Sequence, residues 1–191
     1  MKREPAGLVV VGGVALVFVV VLLFGRNVLV VPRGAVAGVS PATGAPAPAA
    51  PTPLPELLVR TKDGGKRSLA GASGKLLVIH FWATWCPPCV EELPGLLDFS
   101  REIKNRKDVE LLAVSVDDDF RTVETWLRKR KAEDLPVALD PDRAAAKKFG
   151  TEKFPETWFV SPKGDVLEHV AGPLEWNRKD VRERIAAMLR S

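Results

Sequence analysis

Residues 75–97 read KLLVIHFWATWCPPCVEELPGLL. The first eight form an almost unbroken apolar run, the pattern of a central strand buried on both faces. Beyond the cysteines, Val90, Leu93 and Leu97 share one helical stripe, with Leu96, Phe99 and Ile103 beside it. A helix therefore follows, with a kink expected at Pro94. Cys86 and Cys89, the only cysteines among 191 residues, sit at the joint between the two elements. The strand is expected to end at Trp85 and the helix to begin near Cys86.

Strands and helices alternate on either side of this joint. LLVR (57–60) and the turn TKDGGKR predict an initial hairpin, and VELLAVSV (109–116) a second buried strand. FRTVETWLRKRKA reads as an amphipathic helix, LPVALD as a short strand, and RAAAKKFG as a short helix stopped by Gly150. ETWFVSPKGDVLEHVAG predicts two antiparallel strands joined at Pro162–Asp165, and RKDVRERIAAMLR a last amphipathic helix. The expected class is α/β, a mixed central sheet with helices on both faces. It occupies residues 56–191.

The first 55 residues are of another kind. Residues 8–24, LVVVGGVALVFVVVLLF, carry no charged side chain, and the apolar character resumes with VLVV after Arg26–Asn27. A bilayer-spanning helix needs roughly 17–25 such residues. A cleaved signal has a shorter apolar stretch closely followed by a small-residue cleavage site, and here Ala35-Val36-Ala37 lies well beyond it. Residues 1–31 are therefore read as an uncleaved single-pass anchor. Residues 32–55, including SPATGAPAPAAPTPLP, are read as a Pro/Ala-rich linker that cannot build a core. The formal net charge is +4, but residues 1–50 hold +3 of it. The folded part is nearly neutral, which argues against a nucleic-acid partner. RKRK (128–131) and Lys147–Lys148 read as solvated helix faces.

Two cysteines three positions apart can form a disulfide, bind a metal or be unrelated buried apolar residues, and unrelated ones would not need this spacing at a strand end. Zinc wants four ligands, and the chain offers only His80 and His169 to complete the set. A structural bridge closing so short a loop would constrain little of the unfolded chain. The redox reading has a mechanical logic. A cysteine at a helix start meets free N–H groups and the positive end of the helix dipole, both favouring thiolate. Pro87 and Pro88 lack an N–H, so the first backbone donor is Cys89, where an N-cap partner lies. Cys86 is then expected to be the exposed nucleophile and Cys89 the resolving thiol. Trp82 and Trp85 are expected to shape an apolar rim around Cys86, Pro87, Pro88 and Cys89. Trp126, Trp158 and Trp176 read as packing residues, and His169 as an ordinary strand residue.

FWATWCPPCVEELP (81–94), followed by GTEKFPETWFVSPKGDVLEHVAG (150–172), resembles the TlpA-like, cytochrome-c-biogenesis branch of the thioredoxin superfamily. The resemblance spans residues 56–190 and implies a thioredoxin-like fold. It implies that Pro155 is a cis-proline lying against the active-site sulfurs. It also implies that Glu92 is an acidic residue near the buried cysteine, and Cys89 and Glu92 do stand i, i+3 on one helix face. The alternatives are an ordinary loop proline and a surface carboxylate. His80 departs from the family, where aspartate or asparagine is usual at this offset. It is read either as a proton relay or as a core histidine satisfied by hydrogen bonds.

The resemblance further implies a thiol-disulfide oxidoreductase of the bacterial cell membrane, its folded domain in the periplasm or outside the cell. Its partners would be protein disulfides, such as those of apocytochrome c or copper-site proteins, and a membrane thiol-disulfide electron donor. No cofactor is needed, because the disulfide is itself the redox group. The alternatives are a disulfide-forming oxidase and a Cu(I) chaperone using both thiolates. Copper chaperones of this superfamily space their cysteines more widely and add a histidine.

Overall fold

The computed structural model describes residues 57–69 and 73–190. The expected anchor (1–31) and linker (32–55) lie outside the described residues. Among the described residues, no helix is long and apolar enough to cross a membrane.

Among the described residues, eleven elements follow in chain order. They are β1 (Leu58–Arg60), β2 (Lys66–Ser68), β3 (Leu76–Trp82), α1 (Pro87–Ile103), β4 (Val109–Ser115), α2 (Phe120–Arg128), β5 (Val137–Leu139), α3 (Ala144–Phe149), β6 (Glu156–Val160), β7 (Val166–Ala171) and α4 (Lys179–Met188). The seven strands make one sheet in the order β2-β1-β5-β4-β3-β6-β7. β3, β4 and β5 run parallel, while β6, β7 and the β1–β2 hairpin are antiparallel to their neighbours. The sheet is mixed, as expected. Parallel neighbours require crossover helices, and α1 and α2 supply them.

All seven residues of β3 are buried, so both faces of the sheet are covered. Alternation of side chains along the strand sorts the layers. Trp82 packs on Trp126 of α2, and His80 lies against Glu92 of α1. Arg182 of α4 reaches Phe99 and Glu102 of α1, which places α4 on that same face. Phe81, pointing the other way, meets Phe149 of α3. Three helices thus cover one face and α3 the other.

One boundary differs from expectation. β3 ends at Trp82, three residues early, because the chain turns at Ala83–Cys86 with a Cys86 N–H to Ala83 O bond of 3.3 Å. α1 continues unbroken through Pro94, giving up one hydrogen bond there. The next residue, Gly95, admits the neighbouring loop: a Cβ there would stand 3.3 Å from Trp176 Cβ.

Phe159 is fully buried on β6. Phe159→Ala is expected to destabilise the domain by about 3–5 kcal/mol, read from denaturant unfolding. A second test uses Glu110, which accepts a 2.7 Å hydrogen bond from Arg67 and thereby tethers β2 to β4. That bond holds the Glu110 carboxyl below its ordinary value, against the opposing pull of burial. A depressed folded pKa contributes stability above the unfolded pKa and loses it as pH falls through the folded one. The stability advantage of the wild type over Glu110→Gln is therefore expected at pH 7 and should be lost as the pH falls through the depressed pKa of the folded carboxyl.

Candidate active site

The site is built where β3 hands over to α1. Val116 N–H bonds Trp82 O at 3.0 Å, extending the β3–β4 pairing past the end of β4. This brings Asp117 under the turn. Its carboxylate, buried at 4 % exposure, accepts from Thr84 N–H (2.9 Å), Thr84 Oγ1 (2.7 Å) and Ser115 Oγ (2.6 Å). Thr84 is held at both backbone and side chain, two residues before Cys86. The sequence reading missed Asp117. Its signal was an acidic residue just past the end of a strand predicted to be buried.

Cys86 is the N-cap of α1, with extended backbone, and its carbonyl accepts the first helical bond from Val90 N–H. Its sulfur accepts the Cys89 N–H at 3.4 Å. The two prolines occupy the first helical positions, where a missing N–H costs nothing. No acidic residue stands in the first turn to oppose a thiolate at this positive helix end. Cys86 and Cys89 are joined by a disulfide with Cα atoms 5.3 Å apart. Cys86 is not exposed in this oxidised form: it is 4 % accessible against 2 % for Cys89. Neighbouring side chains and the 150s loop roof it over.

That loop carries Pro155, and the Phe154–Pro155 peptide bond is cis. Phe154 O lies 3.5 Å from Cys86 Sγ, a packing contact because a disulfide sulfur has no proton to donate. Trp85 is 56 % exposed and meets the Phe154 ring edge-on at 6.1 Å. Trp82 does not belong to the rim. It is 2 % exposed, drawn into the core against Trp126 because it ends the buried strand. The rim is instead Trp85, Phe154 and the prolines, of which Pro87 is exposed and Pro88 half-buried.

Behind the sulfurs lies a buried polar pair. The Glu92 side chain is 5 % exposed and that of His80 1 %, with His80 Nε2 3.0 Å from Glu92 Oε1. Glu92 is thus no surface carboxylate, whereas Glu91 beside it is exposed. Glu92 Oε2 accepts the Leu174 N–H at 2.8 Å, while Oε1 has no well-aligned donor. His80 Nδ1 sits 3.0 Å from Thr157 Oγ1, and Trp176 packs edge-on against the imidazole. Nε2 lies close to Glu92 Oε1 without the alignment of a hydrogen bond, and which partner donates between Nδ1 and Thr157 Oγ1 is set by the imidazole tautomer. An open groove lined by Pro88, Glu91, Gly95 and Trp176 reaches Glu92 from solvent.

His169 is more than an ordinary strand residue. Its Nε2 lies 2.9 Å from Glu156 Oε2, and its ring stacks on Trp158 at 3.8 Å. Glu156 also accepts the Lys153 N–H at 3.4 Å, which braces the Pro155 loop from the side of the sheet opposite His80.

Comparison with known proteins agrees with this architecture. Thiol-disulfide oxidoreductase ResA of Bacillus subtilis (strain 168) is 29 % identical over 120 residues, covering 63 % of this chain and 66 % of that protein. ResA of Oceanobacillus iheyensis is 33 % identical over 116 residues, 61 % of this chain and 59 % of that one. The chain thus spans less than two thirds of the length of these relatives. The crystal structure of StoA from Bacillus subtilis superposes with a TM-score of 0.56 at 25 % identity, covering 74 % of this chain and 98 % of StoA. Residues 44–169 match the AhpC/TSA family, which carries this thioredoxin-like fold. With a match over more than half its length and a mixed sheet that sets a cysteine pair at the head of a helix, the chain belongs to the AhpC/TSA family.

Proposed function

We propose that the protein is a membrane-anchored, extracytoplasmic thiol-disulfide oxidoreductase that reduces disulfides in partner proteins through Cys86 and Cys89. One observation carries the reading. The disulfide sits at a helix N-cap, with Cys86 Sγ taking the first free N–H of the helix. The same donor that binds the sulfur in the disulfide would stabilise the Cys86 thiolate after reduction. The names of the ResA relatives support the activity.

In the reduced protein the Cys86 thiolate attacks a client disulfide. A mixed disulfide forms and one client thiolate leaves. Cys89 then gives its proton to Glu92 Oε1, the carboxylate oxygen without an aligned donor and one helical turn away on the same face. The Cys89 thiolate attacks Cys86 Sγ, the second client thiolate leaves, and Cys86–Cys89 is oxidised. Two electrons have passed to the client, whose two thiolates take their protons from solvent. His80 is the relay that holds Glu92 in place, and the groove beside Glu92 exchanges its proton with solvent. The hydrophobic stretch of residues 8–24 supports the anchor, and apocytochrome c or copper-site cysteines are the proposed clients. A membrane thiol-disulfide donor would restore the dithiol, since disulfides persist on the oxidising side of a membrane.

Redox equilibration of the full chain in detergent, followed by thiol alkylation, is expected to give a potential of about −230 mV or lower. A value near about −120 mV would reverse the direction to disulfide donation. Cys89→Ser should accumulate a mixed disulfide with a client peptide on a non-reducing gel, and Cys86→Ser should form none. Glu92→Gln is expected to slow resolution of that mixed disulfide by about 100-fold at neutral pH and to make the rate rise with pH. A rate and pH profile equal to the wild type would remove Glu92 from the proton path. Asp117→Ala leaves the Thr84 and Ser115 donors without their acceptor and should cost about 2–3 kcal/mol in denaturant unfolding.

A further inference from the structure

Arg143 stands just before α3 with φ +57 and ψ +26, the left-handed region that normally favours glycine. Its carbonyl accepts the Lys147 N–H at 3.0 Å, but its side chain does no capping work there. The side chain makes no cap hydrogen bond, and the N–H groups of Ala145 and Ala146 are taken instead by the buried Asp140 carboxylate at 3.0 and 2.8 Å. The strained backbone delivers the exposed guanidinium to the rim of the disulfide. Its central carbon lies 5.7 Å from the Trp85 ring and 5.9 Å from the Phe154 ring, near the outer limit of a cation–π contact. Among the described residues, no carboxylate forms an ion pair with it. A planar five-donor fork is thus held over two aromatic rings, beside the loop whose Phe154 carbonyl touches Cys86 Sγ, and among the described residues its N–H groups have no hydrogen-bond acceptor.

We infer that Arg143 is a specificity residue that binds a carboxylate on the client chain close to the client cysteine, while Trp85 and Phe154 take the apolar flank of that segment. The inference rests on the oxidoreductase reading above and names the substrate class for it. The guanidinium shares the Trp85–Phe154 rim with the loop that touches Cys86 Sγ, so the acidic residue belongs within a few positions of the cysteine under attack. A guanidinium matches a carboxylate in shape and charge, and at an exposed rim such pairing sets partner choice more than raw affinity. Asp142 is the neighbouring exposed acid, but it serves the Ala144 N–H at 3.4 Å.

The test uses the reduced full-length protein and two peptides, each closed by one disulfide. They differ only in Glu or Gln beside the attacked cysteine. Each rate is divided by that of dithiothreitol with the same peptide, which removes the repulsion between Glu and any incoming thiolate. The wild type is expected to favour the Glu peptide by about fivefold at low ionic strength, an advantage that fades as salt is added. Arg143→Gly suits the positive φ and preserves the backbone, and it should bring the ratio to about one. Arg143→Lys keeps the charge without the fork and should retain part of the preference. A wild-type ratio of one or less, or a ratio unchanged in Arg143→Gly, overturns the assignment of Arg143. If the wild type reduces neither peptide nor the small neutral disulfide 2,2′-dithiodipyridine, the oxidoreductase reading itself fails, and this inference with it.

Discussion

The grip of Asp117 on Thr84 is the constraint on which the site depends. A strand that ends three residues before a cysteine leaves that cysteine on a loop, and a loop alone would not set a sulfur at the head of a helix. The buried carboxylate removes this freedom by accepting both the backbone and side-chain donors of Thr84, with Ser115 completing the set. Three charge-assisted hydrogen bonds in a dry environment are strong, and leaving such an acceptor or its donors unpaired is costly. The parallel pairing of β3 with β4 determines that Asp117 arrives at this point and nowhere else.

Beyond that anchor, the first residues of β6 organise the two sides of the sheet. Thr157 faces His80, Glu92 and α1, while Glu156, one residue earlier, faces His169 on the opposite side. Strand alternation sends these adjacent side chains to opposite faces. The chain's only two histidines are each set against a buried carboxylate, and both pairs meet at the strand that leads out of the Pro155 loop. The loop that covers the sulfurs is therefore braced from both layers. The pairs differ in surroundings. His80 is sealed beneath Trp176, whereas the His169 side chain keeps 22 % of its surface and stacks on Trp158.

Much of this was legible along the chain. The apolar run at 75–82 implied a strand covered on both faces, and the spacing of Leu93, Leu96, Phe99 and Ile103 implied the following helix. The missing N–H groups of Pro87 and Pro88 pointed to Cys89 as the first donor, and the 3.4 Å contact to Cys86 Sγ is that donor in place. Such local features depend on residues a turn apart, so sequence spacing carries them. Tryptophan placement was less legible. Trp82 and Trp85 look equivalent beside the cysteines, yet one ends a buried strand and the other protrudes from a turn stabilised by a residue more than thirty positions away.

The sequence by itself determined the alternation of strands and helices, the cysteine pair at a helix start and the near-neutral charge of the folded part, because periodicity and the missing N–H of proline act over a few residues. Only the tertiary structure decided that Asp117 clamps Thr84, that His80 meets Glu92 and Thr157, that Glu156 meets His169, and that Arg143 comes over Trp85. Each of these joins residues 12 or more positions apart through strand register and layer packing. No local pattern encodes which side chains a sheet of seven strands will bring face to face.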